Sequence, residues 1–368
     1  MPVNGALDLS DIRGLTSGGN IREDLMDKVW NVSKIPLPFQ DMIGQGVCKS
    51  NLHEWTIDKL AIAAANAWVE NASVPATGTA AVPTDIGDSA TESNVIRARN
   101  HCQISAKVVS VSDRSQNVMT SGNTASLAYQ LMMRQRELRQ DMEFILLSNT
   151  ASLAGNSTTI APLLGGYLSW VADKAAPTQD LFLSAAAVPS AQGGYNQTTL
   201  LTAAAAATAT PAAISEADLR DVIQAIYNGG AEATTLMCRP TMKRIISQYM
   251  YTSSARIAQL TADVGQGNSG TDVARGAVSV FISDYGVLAL MPNRFFPFQA
   301  STTHEYCAVF DPAYLAVDYL SNIKVTEEAH LGLQSRRSMV ADYTLRVSSD
   351  QAIGAIVDIS PTGAMTAT

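Results

Sequence analysis

Between residues 51 and 148 the chain changes character three times, and that succession limits the folds open to it more than any other feature. Residues 51–60 place Leu52, Glu54, Thr56 and Asp58 on one face of an extended strand and His53, Trp55, Ile57 and Lys59 on the other. A returning stretch, 94–97 continuing through 103–111, is again extended. The tip between them, 71–93, is made of Ala, Thr, Gly, Pro and Asp and has little to bury. At about 3.3 Å per residue, a leg of about ten residues reaches roughly 33 Å. A two-stranded ribbon is marginal in water and its free edges invite pairing, so this arm needs a neighbour to lie on. That favours assembly over catalysis.

The period then lengthens. Leu127, Leu131, Leu138, Met142 and Ile145 form an apolar stripe at helical spacing, which predicts a helix over 123–148 capped by Asn123 or Thr124 after Gly122. Arg134, Arg136, Glu137, Arg139, Asp141 and Glu143 lie off the stripe, with Arg139 and Glu143 at i,i+4 and Arg134 and Glu137 at i,i+3. Two readings of this face stand side by side. It is a solvated charged surface, or a docking face for the acidic residues of an arm: Glu70, Asp85, Asp88 and Glu92.

Only 16% of the 368 residues are charged, below the usual quarter or so, which suits a chain whose surface is covered by copies of itself. The net charge of −8 argues against a duplex-binding protein, since phosphate contacts need clustered Lys and Arg. Cys48, Cys102, Cys238 and Cys307 are scattered, without zinc or disulfide-framework spacing, and read as buried reduced thiols of a cytosolic folding compartment. The first residues lack the basic start and apolar run of a signal peptide, and no stretch approaches the roughly 18 apolar residues of a membrane span.

Elsewhere, 14–19 is Gly/Ser-rich, 21–29 suits a short helix, and the two prolines of 35–39 call for extended chain before an anchor of Phe39, Met42 and Ile43. Residues 201–213 read as a loop. Ser215 with Asp218 approximates a capping box, opening a helix that ends at Gly229-Gly230. A buried strand at 234–238 is followed by a helix from Pro240 to about Leu260. A hairpin at 278–290 turns on Asp284-Tyr285-Gly286, and strands at 308–320, 339–347 and 352–359 close the chain. The mixture reads as α+β.

Catalytic signatures are missing: H-E-x-x-H, G-x-S-x-G and the G-K-[ST] of a phosphate loop do not occur. His53, His101, His304 and His330 have no metal-ligand spacing, so neither a catalytic residue, a metal nor a cofactor is assigned. Gly265 to Gly270 matches G-x-G-x-x-G, but a helix precedes it and a strand follows, the reverse of a dinucleotide site.

Several blocks, taken in order, resemble one family. Residues 51–55 with 63–67, Pro36-Leu37-Pro38-Phe39 before Met42-Ile43-Gly44, 128–143 with 147–149 and 154–157, and the closing 341–347 are similar to major head proteins of tailed bacteriophages with the Hong Kong 97 capsid fold. The resemblance implies an N-terminal arm at 1–45 and an extended loop at 46–115. It further implies a peripheral domain of 116–156 and 301–368 built on the spine helix, and an axial domain at 157–300. It implies a subunit that assembles in the host cytoplasm as hexamers and pentamers into an icosahedral head around double-stranded DNA. The same fold leaves an alternative, an encapsulin-like shell around a cargo enzyme.

Subunit contacts are then expected from Trp55, Trp68, Glu70, Asp85, Asp88 and Glu92 of the loop and from Arg134, Arg136 and Arg139 of the helix. A separate scaffolding protein is expected because the arm begins almost at once. A portal and a decoration protein are the other implied partners. Residues 66–96 contain no Lys, so no isopeptide network through the loop tip is expected.

Overall fold

The computed structural model describes residues 36–58, 95–118, 126–156, 158–171, 194–196, 201–205, 207, 210–252, 279–329 and 332–366. The expected helix at 21–29, the hairpin tip, caps at Asn123 or Thr124, any helix beyond residue 252 and the Gly-rich loop at 265–270 lie outside the described residues. The chain divides into two compact units. The larger takes 35–107, 136–325 and 339–368, and the smaller takes 1–34, 108–135 and 326–338.

The larger unit is built on a five-stranded sheet ordered β13-β10-β7-β9-β8, from β7 (Thr235–Cys238), β8 (Val280–Ser283), β9 (Gly286–Pro292), β10 (Glu305–Phe310) and β13 (Ile353–Ile359). Strands β7, β10 and β13 are buried along their whole length, so their sequences are continuous apolar runs rather than alternations. Two helices pack on this sheet, α5 (Glu216–Asn228) against β13 and α6 (Pro240–Thr252) against β9. Helix α5 carries the expected capping box: Ser215 Oγ accepts from Asp218 N at 3.0 Å, and Asp218 Oδ2 accepts from Ser215 N at 3.1 Å. It ends at Gly229, followed by Gly230 at φ +90.

A second sheet is ordered β1-β11-β12-β4, from β1 (Gly44–Val47), β11 (Leu315–Glu327), β12 (Gln334–Val347) and β4 (Gln103–Ser112). The single strand expected at 308–320 is in fact two strands in different sheets. Pro312 cannot donate to a ladder, and Asp311 Oδ1 accepts from Ala313 N at 3.0 Å to cap the 3-10 turn Pro312–Tyr314 that separates them. Two more departures are local. Residues 38–42 are helical (α1, Pro38–Met42), with Pro38 at a first-turn position where its missing N–H costs nothing. Within the expected loop at 201–213, β6 (Leu201–Ala203) pairs with β5 (Gly194–Asn196).

Helix α3 (Leu127–Leu147) is shorter than expected, 21 residues or about 31 Å, because Ser126 caps it: Ser126 Oγ accepts from Tyr129 N at 3.2 Å. Its buried residues are Leu138, Met142, Glu143, Leu146 and Leu147. Phe39, Tyr167 and Phe310 meet with ring centroids 5.6–6.3 Å apart; of the anchor expected at Phe39, Met42 and Ile43, Phe39 lies in this cluster, Ile43 is buried and Met42 is only half-buried. Tyr167, in the helical turn α4 (Tyr167–Trp170), satisfies its hydroxyl on the carbonyls of Val309 and Gly354, at 3.0 and 2.7 Å.

In the smaller unit, Glu328 pairs with Arg336 at 2.8 Å and Glu327 with Arg337 at 3.4 Å. The short helix α2 (Asp113–Asn117) is tied to the same stretch, since Ser335 Oγ donates to Asp113 Oδ1 and Asp113 N to Leu333 O. Val108 to Ser112, Ser115, Gln130 and Arg134 line a groove of about 270 Å³.

Candidate functional site: the hairpin root and the α3 surface

The two legs of the arm form a ribbon of β2 (Leu52–Asp58) and β3 (Val95–His101), antiparallel from Leu52↔His101 to Asp58↔Val95. The described part of the ribbon is seven residues long on each strand, about 23 Å, and residues 59, 60 and 94 of the expected legs lie outside the described residues. The returning chain leaves it at Cys102 and enters the four-stranded sheet as β4.

Alternation decides which face is held. His53, Trp55, Ala98 and Asn100 share one face, and Glu54, Thr56, Arg97 and Arg99 share the other. On the held face, Trp55 Nε1 donates to Val347 O at 2.7 Å, and its ring lies 5.4 Å from that of the buried Trp170. His53 Nε2 lies 2.8 Å from Asp318 Oδ2, which also accepts from Arg346 Nε at 2.8 Å. Asn100 is fully buried and makes three bonds: Nδ2 donates to Leu345 O and Gly165 O, and Oδ1 accepts from Gly165 N. His101 meets Ser152 Oγ at 2.9 Å through Nδ1, and burial, then the Arg99 charge, holds its imidazole below the usual range. His53 and His101 are therefore packing groups, not a ligand pair. On the other face Arg97 and Glu54 stand 3.7 Å apart, and an exposed pair of this kind contributes little.

Trp55 thus has its indole committed inside the chain. Trp55 fixes the root, and its half-buried side chain keeps part of its surface for the subunit contact expected of it. Trp68, Glu70, Asp85, Asp88 and Glu92 lie outside the described residues.

Arg134, Arg136 and Arg139 are all exposed on α3. At about 100° per residue, Arg136 and Arg139 lie about 60° apart, whereas Arg134 is about 160° from Arg136. The structure therefore brings Arg136 and Arg139 together and sends Arg134 to the groove of the smaller unit.

The Arg139–Glu143 pair expected from i,i+4 spacing does not form. Glu143 is fully buried, where Oε1 accepts from Phe39 N and Asn293 Nδ2, each at 2.8 Å, and Oε2 from Gln40 N at 3.0 Å. Burial pushes its carboxyl up, against the pull of the Phe39 and Gln40 amides and of Asn293. Asp141 instead pairs with Lys107 at 2.6 Å.

Two functional groups escaped the sequence reading. Glu143 belongs to the buried stripe of Leu138, Met142 and Leu146, so an acid three residues before a core leucine was the available signal. Asp318 joins His53 to Arg346 from within β11, and an acid in the otherwise apolar run 315–320 was its signal. Gly46, opposite Asp318 in the parallel β1–β11 pair, leaves room for that carboxylate: a Cβ there would run into Asp318 Oδ1.

Among the described residues no group of His, Cys, Asp or Glu is arranged to hold a metal, and no helix is long and apolar enough to cross a membrane.

Known proteins share this architecture. A capsid chain of a native GTA particle superposes with a TM-score of 0.54 at 12% identity, over 93% of this chain and 96% of its own. A capsid chain of cyanophage A-1(L) gives 0.54 at 12% identity over 92% and 97%, and one from Mycobacterium phage Bobi gives 0.52 at 12% over 92% and 95%. At such identities the likeness speaks for the fold alone: α+β, of the Hong Kong 97 capsid type. A curated relative, the major capsid protein of Escherichia phage Phieco32, is 29% identical over 238 residues, and the match spans 57% of this chain and 61% of that protein's length. The family model for the SU10 major capsid protein matches residues 11–360. A root-anchored hairpin, a spine helix and a match along nearly the whole chain converge: the protein belongs to the SU10 major capsid protein family.

Proposed function

We propose that the chain is the major capsid protein of a tailed phage, assembling as hexamers and pentamers into an icosahedral head that encloses double-stranded DNA. One observation carries this reading. The ribbon is bonded to its own subunit through Trp55 and Asn100, and the sequence that joins its two strands, 59–94, carries four acidic residues and a single base, Lys59. Such a segment has the charge to lie on a cationic surface of a second copy, and Arg136 and Arg139 on α3 are such a surface. Exposed charge pairs are weak singly and screened by salt, so they set register while apolar burial supplies most of the affinity. Glu70, Asp85, Asp88 and Glu92 are the acids assigned to this contact, and Trp68 is its apolar member. Trp55 serves it by holding the root.

The arm, loop, peripheral and axial parts carry over as the division of labour within the subunit. A separate scaffolding protein, a portal and a decoration protein complete the assembly, which is built in the host cytoplasm and ends as part of the virion. The encapsulin-like reading is the less supported, because the family and the curated relative are both phage capsid proteins.

Negative-stain microscopy of the purified chain, with its mass in solution, tests the reading. Closed shells or flat hexamer sheets support it; a dispersed monomer at high concentration with a candidate scaffold present refutes it. The double charge reversal Arg136→Glu with Arg139→Glu tests the docking surface: subunits should fold with unchanged melting but fail to close shells. Normal assembly of that variant would remove α3 from the contact.

A further inference from the structure

The four cysteines, scattered in sequence, fold into two facing pairs. Cys48 Sγ lies 3.5 Å from Cys102 Sγ, and Cys307 hydrogen-bonds to Cys238 across strands β10 and β7. All four are buried and free. The assembly reading uses none of them.

We propose that Cys48 and Cys102 are a modification site: a dithiol that a small disulfide such as oxidised glutathione converts to an intramolecular disulfide, stapling the hairpin root. The position of the two residues carries the argument. Cys48 follows β1 directly, and Cys102 is the one residue between β3 and β4. Everything between them is the arm, so a bond 54 residues apart in sequence ties its two ends together without shortening its reach. Both backbones are already pinned, Cys48 N to Tyr319 O at 3.1 Å and Cys102 N to Asn51 O at 2.8 Å. The sulfurs need approach only from 3.5 Å to the roughly 2.05 Å of a disulfide. This inference does not depend on shell formation, because it concerns the folded subunit in either state.

The chemistry balances within the pair and the named oxidant. The Cys48 thiolate attacks one sulfur of oxidised glutathione, forming a mixed disulfide and releasing one glutathione thiolate. The Cys102 thiolate then attacks the Cys48 sulfur, and the second glutathione leaves. Two electrons pass to the small disulfide, and the two protein protons end on the two released thiols. Cys48 is assigned as first nucleophile because the hydrogen bond from Cys102 favours its thiolate, although burial pushes both thiols up.

Burial also sets the pace. A buried thiol with little thiolate is inert until the structure opens, and the root is held shut by Trp55, through Val347 O and the Trp170 ring. Oxidation is therefore slow in the reducing cell, and outside it is limited by root opening. Cys238 and Cys307 are a built-in contrast. They sit in central strands of the five-stranded sheet, with a paired strand on either side, and become reachable only when that sheet unfolds.

The experiment is peptide mapping of the intact chain after incubation with oxidised glutathione at about pH 8, with free thiols alkylated under denaturing conditions. The expected result is a Cys48–Cys102 linked peptide with Cys238 and Cys307 still alkylated, and a melting midpoint raised by several degrees. Trp55→Ala should speed the linkage several-fold. Cys102→Ser should leave Cys48 as a mixed disulfide with glutathione. Free Cys48 and Cys102 in the Trp55→Ala variant after prolonged exposure would overturn the proposal. So would oxidation of Cys238–Cys307 first, linkage of Cys48 or Cys102 to another copy, or an unchanged melting midpoint in the linked form.

Discussion

Glu143→Ala is the substitution whose cost can be followed most directly from the contacts. The carboxylate receives three N–H donors: Phe39 N and Asn293 Nδ2 on Oε1, and Gln40 N on Oε2. Phe39 and Asn293 are fully buried, so their donors lose their carboxylate partner with no water to replace it, although Asn293 Nδ2 keeps a contact to Met237 Sδ. Each orphaned buried donor costs about 1–3 kcal/mol, while the half-exposed Gln40 amide can turn to solvent. Deleting the carboxylate also returns its own burial penalty, which trims the sum to about 2–4 kcal/mol. Glu143→Gln keeps the volume and one acceptor oxygen for Phe39 and Asn293, but it turns an NH₂ towards Gln40 N. Its loss should be about 1–2 kcal/mol, smaller than that of Ala. The assay is denaturant unfolding of unassembled subunits followed by tryptophan fluorescence, with amide exchange read at Phe39 and Gln40. An alanine variant within about 0.5 kcal/mol of the parent, or a glutamine variant as costly as alanine, would refute the clamp. Unchanged exchange at Phe39 in the alanine variant would do the same.

Gly46→Ala should cost about 1–3 kcal/mol in thermal melting, since its Cβ would press on an Asp318 carboxylate already fixed by His53 and Arg346. Ser215→Ala removes half of the capping box and should lower stability by about 1 kcal/mol, with faster amide exchange at Asp218. The buried carboxyls give a pH dependence of defined sign. Burial holds Glu143 and Asp342 above the usual carboxylate range in the folded chain. The folded state therefore binds protons more tightly than the unfolded one between those limits, and these two groups favour folding increasingly as the pH falls through that window. Asp342→Asn, whose parent Oδ1 is buried without a hydrogen bond, should raise the melting midpoint at neutral pH, and the gain should shrink on acidification. A gain that grows on acidification would contradict the assignment.

Signals confined to a few neighbouring residues were legible from the chain alone. The Ser215–Asp218 box, the Gly229-Gly230 stop, the helix opened by Pro240, the turn at Asp284–Gly286 and the two extended legs needed no tertiary partner to be read. Each is fixed by local dihedral preference, by a hydrogen bond spanning three or four residues, or by a period of two or 3.6. The ordered blocks that resemble phage head proteins added the fold and its assembly role, which the family match then placed on firmer ground.

Tertiary structure alone decided where polar groups terminate. Spacing made Glu143 a partner for Arg139, but two backbone amides more than a hundred residues away and the side chain of Asn293 take its carboxylate inside. Trp55 ends on the Val347 carbonyl and the Trp170 ring, both distant in sequence. Cysteines without a motif became two pairs because β3 returns beside β2 at the hairpin root, with Cys102 N on Asn51 O, and β10 lies beside β7 in the sheet. Sequence period fixes which face a residue occupies. The identity of what meets that face depends on chain segments brought together over long separations, and no local pattern encodes them.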